Sequence, residues 1–145
     1  MKRQLILLSA LIIVAIATTG CSRKTLLQKI DEGDLSSVYQ GRYTGTTRFL
    51  RDGAEYKETV DMIRREIEAH EDLLMVMTGK YFPVDRLRTY KFKFAMVDET
   101  QGELILRYFA RLPDHPVFAG CQLQFVYDLD AKQLTKIFTS EVPLE

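Results

Sequence analysis

The chain has 145 residues, room for one modest domain once any targeting segment is set aside. Twenty basic side chains balance 20 acidic ones, and no basic run is long enough for a nucleic-acid footprint. Seven tyrosines, eight phenylalanines and a 46% hydrophobic content exclude a disordered tail.

Lys2 and Arg3 open the chain. An apolar run of 13 residues from Leu5 to Ala17, broken only by Ser9, follows them, and Thr18-Thr19-Gly20-Cys21 closes the segment. A charged start, a short apolar centre and a small-residue exit are the parts of an export signal. The run falls short of the roughly 20 residues of a spanning helix. A cysteine directly after a small residue is the added feature. The segment resembles the lipobox of bacterial lipoproteins, in which the cysteine thiol takes a diacylglyceryl group and becomes the new N-terminus. Gly20 and Cys21 match that pattern, whereas Thr18 stands where an aliphatic residue is usual. The resemblance implies a signal peptide over 1–20, lipidation of Cys21 and a membrane as the partner of that lipid. Ser22 after the cysteine implies an outer-membrane address facing the periplasm in a cell with two membranes. Loss of Lys2 and Arg3 leaves 18 basic against 20 acidic side chains.

Residues 21–40 are a lead-in. Leu26, Leu27 and Ile30 sit at helical spacing and Gly33 is a stop, which predicts a short helix. Residues 41–145 are expected to form a single β-rich domain. Thr and aromatic residues from Gly41 to Phe49 suit a pleated surface. Asp52-Gly53 predicts a two-residue hairpin turn that sets Phe49 opposite Tyr56 and Tyr43 opposite Met62.

Segment 54–71 has two readings. As a helix, Tyr56, Val60, Ile63, Ile67 and Leu74 fall on one stripe, with Asp52 and Glu55 as a variant capping box. As strands, Tyr56, Val60 and Met62 share a face, then Ile67 and Ala69 after a break at Arg64-Arg65. Leu73 to Met77 reads as a strand that is apolar on both faces and wants cover on both.

The later strands alternate with period two. Tyr90, Phe92, Phe94 and Met96 share one face. After a turn over 98–102, Leu104, Leu106, Tyr108, Ala110 and Leu112 share another. A loop from Pro113 to Pro116 leads to Cys121, Leu123, Phe125, Tyr127 and Leu129, and a turn at 130–133 leads to a last strand from Leu134 to Thr139. Four strands with short turns make an antiparallel meander. The expected fold is mainly β, a small up-and-down barrel; the alternative is α+β, with helix 54–71 packed on a curved antiparallel sheet. Gly41-x-Tyr43-x-Gly45 also resembles the glycine–aromatic–glycine opening of lipocalin-type barrels, a match that carries no site residue with it.

Catalytic signatures are not among the patterns. His70 sits among Glu68, Glu71 and Asp72, and His115 between prolines, both in turn contexts and short of the three ligands of a zinc centre. Asp128 and Asp130 lack the rest of a calcium loop. Glu66, Glu68, Glu71 and Asp72 are not set as a pair across a cleft. Ser36, Ser37 and Ser140 lack a nucleophile elbow, and no glycine-rich phosphate loop follows a strand. Alternation places Cys121 on the same face as Leu123 and Phe125, so a buried thiol is expected. No enzyme activity, metal or cofactor is expected. Two roles remain. A barrel interior lined by Tyr90, Phe92, Phe94, Tyr108, Phe125 and Tyr127 would hold a small apolar ligand. Alternatively, Ile105 and Phe109, on the polar face of their strand, would form a patch for a protein partner in the envelope.

Overall fold

The computed structural model describes residues 23–51, 55–70 and 90–145. The expected signal segment with Cys21, the expected turn at Asp52-Gly53 and the expected strand over Leu73 to Met77 lie outside the described residues.

Helix α1 spans Leu26–Asp31. The Thr25 hydroxyl accepts from the Gln28 amide (3.2 Å) and the Gln28 side chain accepts from the Thr25 amide (2.9 Å). This reciprocal box satisfies two of the free donors at the helix start. Gly33, at φ +90°, turns the chain out of the helix. Leu26, Leu27 and Ile30 are buried, as their spacing predicts. Strands β1 (Val38–Gln40) and β2 (Arg48–Phe49) follow. Helix α2 spans Lys57–Glu68, and Ile63 and Ile67, one turn apart, are buried beneath it. Strands β3 (Lys91–Asp98), β4 (Glu103–Arg111), β5 (Phe118–Asp128) and β6 (Gln133–Pro143) complete the chain.

The protein is mainly β, with one mixed six-stranded sheet in the order β1-β6-β5-β4-β3-β2. The predicted meander is present: β3 to β6 pair antiparallel with their neighbours in sequence. The barrel is not. Among the described residues the sheet stays open, with β1 paired parallel to β6 at one edge and β2 antiparallel to β3 at the other. Segment 57–68 is helical, so it supplies no strands to close a barrel. The expected hairpin pairing also fails. Phe49 pairs with Met96, Tyr56 is the left-handed residue that opens α2, and Met62 lies on that helix. The apolar stripe at i, i+4 spacing, buried against the sheet, outweighed the turn signal.

One face of the sheet packs against both helices. Leu104, Leu106, Tyr108, Leu123, Phe125 and Ile137 form that core with Leu27, Ile30, Ile63 and Ile67. The other face is crossed by residues 41–47, a strap between the two edge strands. Five interstrand steps of about 4.8 Å make about 24 Å, near the full reach of that segment at about 3.4 Å per residue, so the strap runs almost extended. Its contacts mark the crossing: the Gly41 amide donates to the Thr139 carbonyl on β6 (2.8 Å), the Tyr43 amide to Oε1 of Gln124 on β5 (2.8 Å), and the Thr47 hydroxyl to the Met96 sulfur on β3 (3.5 Å). Beneath it, Met96, Ile105 and Val126 form a small second core with Tyr43, Phe94 and Phe138.

The Tyr43 hydroxyl clamps the strap. It lies 2.7 Å from Oδ2 of Asp98 and 2.6 Å from Oε2 of Glu103, and with one proton it serves the two carboxylates alternately. The Gly41-x-Tyr43-x-Gly45 pattern has a local explanation here. A Cβ on Gly45 would meet the Asp98 carboxylate at 2.1 Å and the Tyr43 ring at 2.5 Å, so only glycine lets the strap close over this contact. The Tyr43 hydroxyl, then the Gln101 and Thr100 donors, hold Asp98 below its ordinary 3.8, whereas burial and the two carboxylates push Tyr43 above 10.0. The signs differ in effect. A depressed carboxyl stabilises the fold above about pH 4, and this contribution is lost as pH falls through its folded value. A raised phenol stabilises below about pH 10, and this is lost as pH rises towards its folded value. Tyr43→Phe is expected to cost about 2 kcal/mol near neutrality. Urea unfolding across pH should show the gap to wild type widest between about pH 4 and pH 10 and narrowing at both ends. A pH-independent gap would assign the cost to packing alone.

Candidate functional site

Between α2, β2 and the outer edge of β3 lies an open cleft of about 550 Å³. Two features of the chain make it. Strand β2 is two residues long and pairs only with Met96 and Val97, so the outer edge of β3 before Ala95 has no strand beside it among the described residues. A bulge then falls between Phe92 and Phe94, where the pairing with β4 shifts by one residue. Leu50, Val60, Phe92 and Ala95 give the cleft an apolar floor, and Arg51, Glu55, Lys57, Asp61, Arg64 and Lys93 line its rim.

The rim is partly organised. The Arg64 guanidinium stacks 4.1 Å from the Phe92 ring centroid, and its Nε lies 3.2 Å from Oε1 of Glu68. The same carboxylate oxygen accepts from the Tyr108 hydroxyl (3.1 Å). Burial, then the charge of Glu68, raises the pKa of Tyr108 above its ordinary range and keeps the phenol neutral. Lys57 pairs with Asp61 across one turn (2.9 Å), which lowers the Asp61 carboxyl. Arg48 bridges Glu55 and Glu99, both at 2.6 Å, and so ties β2 to the start of α2 and to the β3–β4 turn. Arg51 makes no ion pair among the described residues. Four cationic side chains against two acidic ones leave the rim net positive.

The six aromatic residues expected around a barrel interior separate in the fold. Phe92 and Phe94 line the cleft. Tyr90, Tyr108, Phe125 and Tyr127 fill the main core, with the Tyr108 and Phe125 rings edge to face at 5.5 Å. The separation has a single cause. The bulge takes up one residue, so Phe92 faces the helices beside Tyr108 while Phe94 faces the strap beside Arg107, although strict alternation puts both on one face. The expected surface patch is not exposed either. Ile105 is fully buried in the second core, covered by Tyr43, Phe94 and Phe138. The half-buried Phe109 ring lies over Gly120 on the next strand and takes the space that a Cβ there would need. Leu50, Val60 and Arg64 were missed as site residues, since only the tertiary packing of α2 beside an open strand edge brings them to Phe92. The one trace in sequence was Val60 on the helical stripe.

The remaining candidates have structural roles. Cys121 is buried, with its thiol pushed up to about 12 by burial and then by Glu141, which leaves it unreactive. Nδ1 of His115 accepts from the Val117 and Phe118 amides (3.2 and 3.0 Å), and its ring stacks on Phe118. Asp128 accepts from the Asp130 and Ala131 amides, both at 2.9 Å, which closes the β5–β6 turn. Among the described residues no group of three or more His, Cys, Asp and Glu side chains is placed to hold a metal ion. Among them, too, no helix is long and apolar enough to cross a membrane. No protein-family model, curated protein or solved structure matches this chain.

Proposed function

We propose that this chain is a non-catalytic lipoprotein of a bacterial envelope, anchored in the outer membrane through Cys21 and facing the periplasm, that holds a small amphiphile in the cleft beside α2. The observation that carries the binding role is the cleft itself, an apolar floor of Leu50, Val60, Phe92 and Ala95 under a net positive rim. Such a site takes an apolar body on the floor and an acidic end at Arg51 or Lys93. Lipidation accounts for the charged, apolar and Gly20-Cys21 parts of the N-terminal segment together. Each buried acyl methylene contributes about 0.8 kcal/mol, so two or more chains hold the protein stably.

One experiment addresses both halves. The full chain is extracted from membranes in mild detergent and weighed by native mass spectrometry. The wild type is expected to carry the diacylglyceryl mass and a further adduct of a few hundred daltons. Val60→Trp, which fills the cleft from a partly buried position, is expected to lose the adduct and keep the lipid. Cys21→Ser is expected to lose the lipid and leave the membrane fraction. An adduct that survives Val60→Trp would remove the cleft from the account, and membrane association that survives Cys21→Ser would remove the anchor.

The role of docking a protein partner keeps one observation in its favour. Phe49, on the outermost strand, is 67% exposed and stacks edge to face on Phe94 at 4.9 Å. Absence of any small-molecule adduct in the wild type, with loss of a co-purifying protein in Phe49→Ser, would favour that role over the cleft.

A further inference from the structure

We propose that Arg42 and Arg107, at the margin of the strap on the sheet face away from the helices, form a binding site for a phosphate-type oxyanion. Position comes from the pairing. Arg107 on β4 lies opposite Gln124 on β5, and the Gln124 side chain holds the amide of Tyr43. Arg42, the strap residue before Tyr43, is therefore brought near Arg107, close enough for its charge to act on that group. Two guanidinium groups set together repel one another, and an arrangement of this kind needs a counter-charge. None of the described carboxylates pairs with either.

Arg107 also has donors to satisfy. Its guanidinium carbon lies 5.3 Å from the Phe94 ring centroid, a stacking contact that uses the face of the group and leaves its terminal nitrogens free. Its Nε is closed off from solvent and has no hydrogen-bond partner among the described residues. The terminal nitrogens are not closed off in this way, and an oxyanion bound there removes the repulsion between the two cations. Burial, then the charge of Arg42, lowers the basicity of Arg107, which agrees with a desolvated cation beside another. Number of oxygens selects the ligand class. One guanidinium fork occupies both oxygens of a carboxylate, whereas two forks are served by the several oxygens of a phosphate. A free phosphate ester and a phospholipid headgroup present the same chemistry. The site lies apart from the proposed amphiphile cleft, with Phe94 the one residue common to both, and does not depend on it.

The test uses the full chain in maltoside detergent. Inorganic phosphate is titrated calorimetrically in one arm, and micelles doped with phosphatidylglycerol in the other, with undoped micelles as the blank. Arg42→Gln, at an exposed strap position, is expected to weaken binding at least tenfold, and Arg107→Gln at least as much. Lys24→Gln, at an exposed pair with Glu32 beside α1, is expected to leave binding unchanged. Arg-dependent binding of inorganic phosphate would identify a soluble phosphate as the source, and Arg-dependent binding of the doped micelles alone would identify the headgroup. Failure of both probes to bind the wild type, or isotherms that Arg42→Gln leaves unaltered, would overturn the site. Arg42→Gln touches only strap surface, so its isotherm decides the site even where Arg107→Gln fails to fold.

Discussion

Phe125→Ala is expected to lower the unfolding free energy by about 4 kcal/mol. The ring is fully buried in the main core and meets Tyr108 edge to face. It lies on β5 between β4 and β6, with Leu106 on one side and Ile137 on the other, so neighbours on both strands limit collapse into the space it leaves. The cost has two parts, the transfer of the lost ring atoms and the cavity left behind. Domains of this size have about 5–15 kcal/mol in total, so the variant should sit near the edge of folding. Urea titration followed by circular dichroism should move the midpoint down by about 2 M, taking about 2 kcal/mol per molar for the slope. The outcome separates two pictures of the aromatic residues. A ligand cavity among them would be refilled or left partly open at modest cost, whereas a filled core loses the whole amount. A midpoint shift below about 0.5 M would contradict the filled core.

Gly120→Ala is the second large effect expected, about 3 kcal/mol. The residue sits on β5 next to a break in the pairing with β6. An added Cβ would lie 2.1 Å from the Ala110 carbonyl oxygen and 2.6 Å from the Phe109 ring. The ring can rotate aside, but the carbonyl belongs to the backbone of β4 and cannot move without opening the ladder. Glycine within a strand marks such a close approach. Calorimetry should show a melting temperature lower by about 10 °C, at about 3 °C per kcal/mol for a chain of this length. Amide exchange should rise first at Leu112, whose N–H bonds the Ala119 carbonyl beside the site. Phe109→Ala in the same chain is expected to recover only part of the loss, because the carbonyl contact stays. Full recovery would place the whole clash on the ring and leave the backbone approach without consequence.

Phe109 also shows why single positions mislead. On its strand it looks like an oily residue stranded on a wet face. In the sheet it is the partner that glycine on the adjacent strand requires, an exchange of side-chain volume across the ladder that no reading of one strand contains. Ile105 is the same case two repeats of the pleat away, since the strap that buries it comes from residues more than 50 positions earlier in the chain.

Local chemistry alone determined a good part of this protein. Period-two alternation identified the four long strands, and their short turns set them antiparallel. Thr25, Gln28, Leu26, Leu27, Ile30 and Gly33 specified α1, and alternation placed Cys121 in the core. These features rest on interactions within a few residues or between adjacent strands, which sequence spacing records directly. Tertiary structure decided the rest. Whether 57–68 was helix or strand depended on what Ile63 and Ile67 could bury against. Closure of the sheet depended on that choice. The bulge at Lys93, which parts Phe92 from Phe94, follows from pairing with β4, because nothing in Phe92-Lys93-Phe94 distinguishes a bulged strand from a regular one. The cleft, the strap clamp and the Arg42–Arg107 pair all join segments far apart in the chain. Their geometry comes from burying one apolar face of the sheet under helices and the other under a strap, a global balance of buried area that no local pattern encodes.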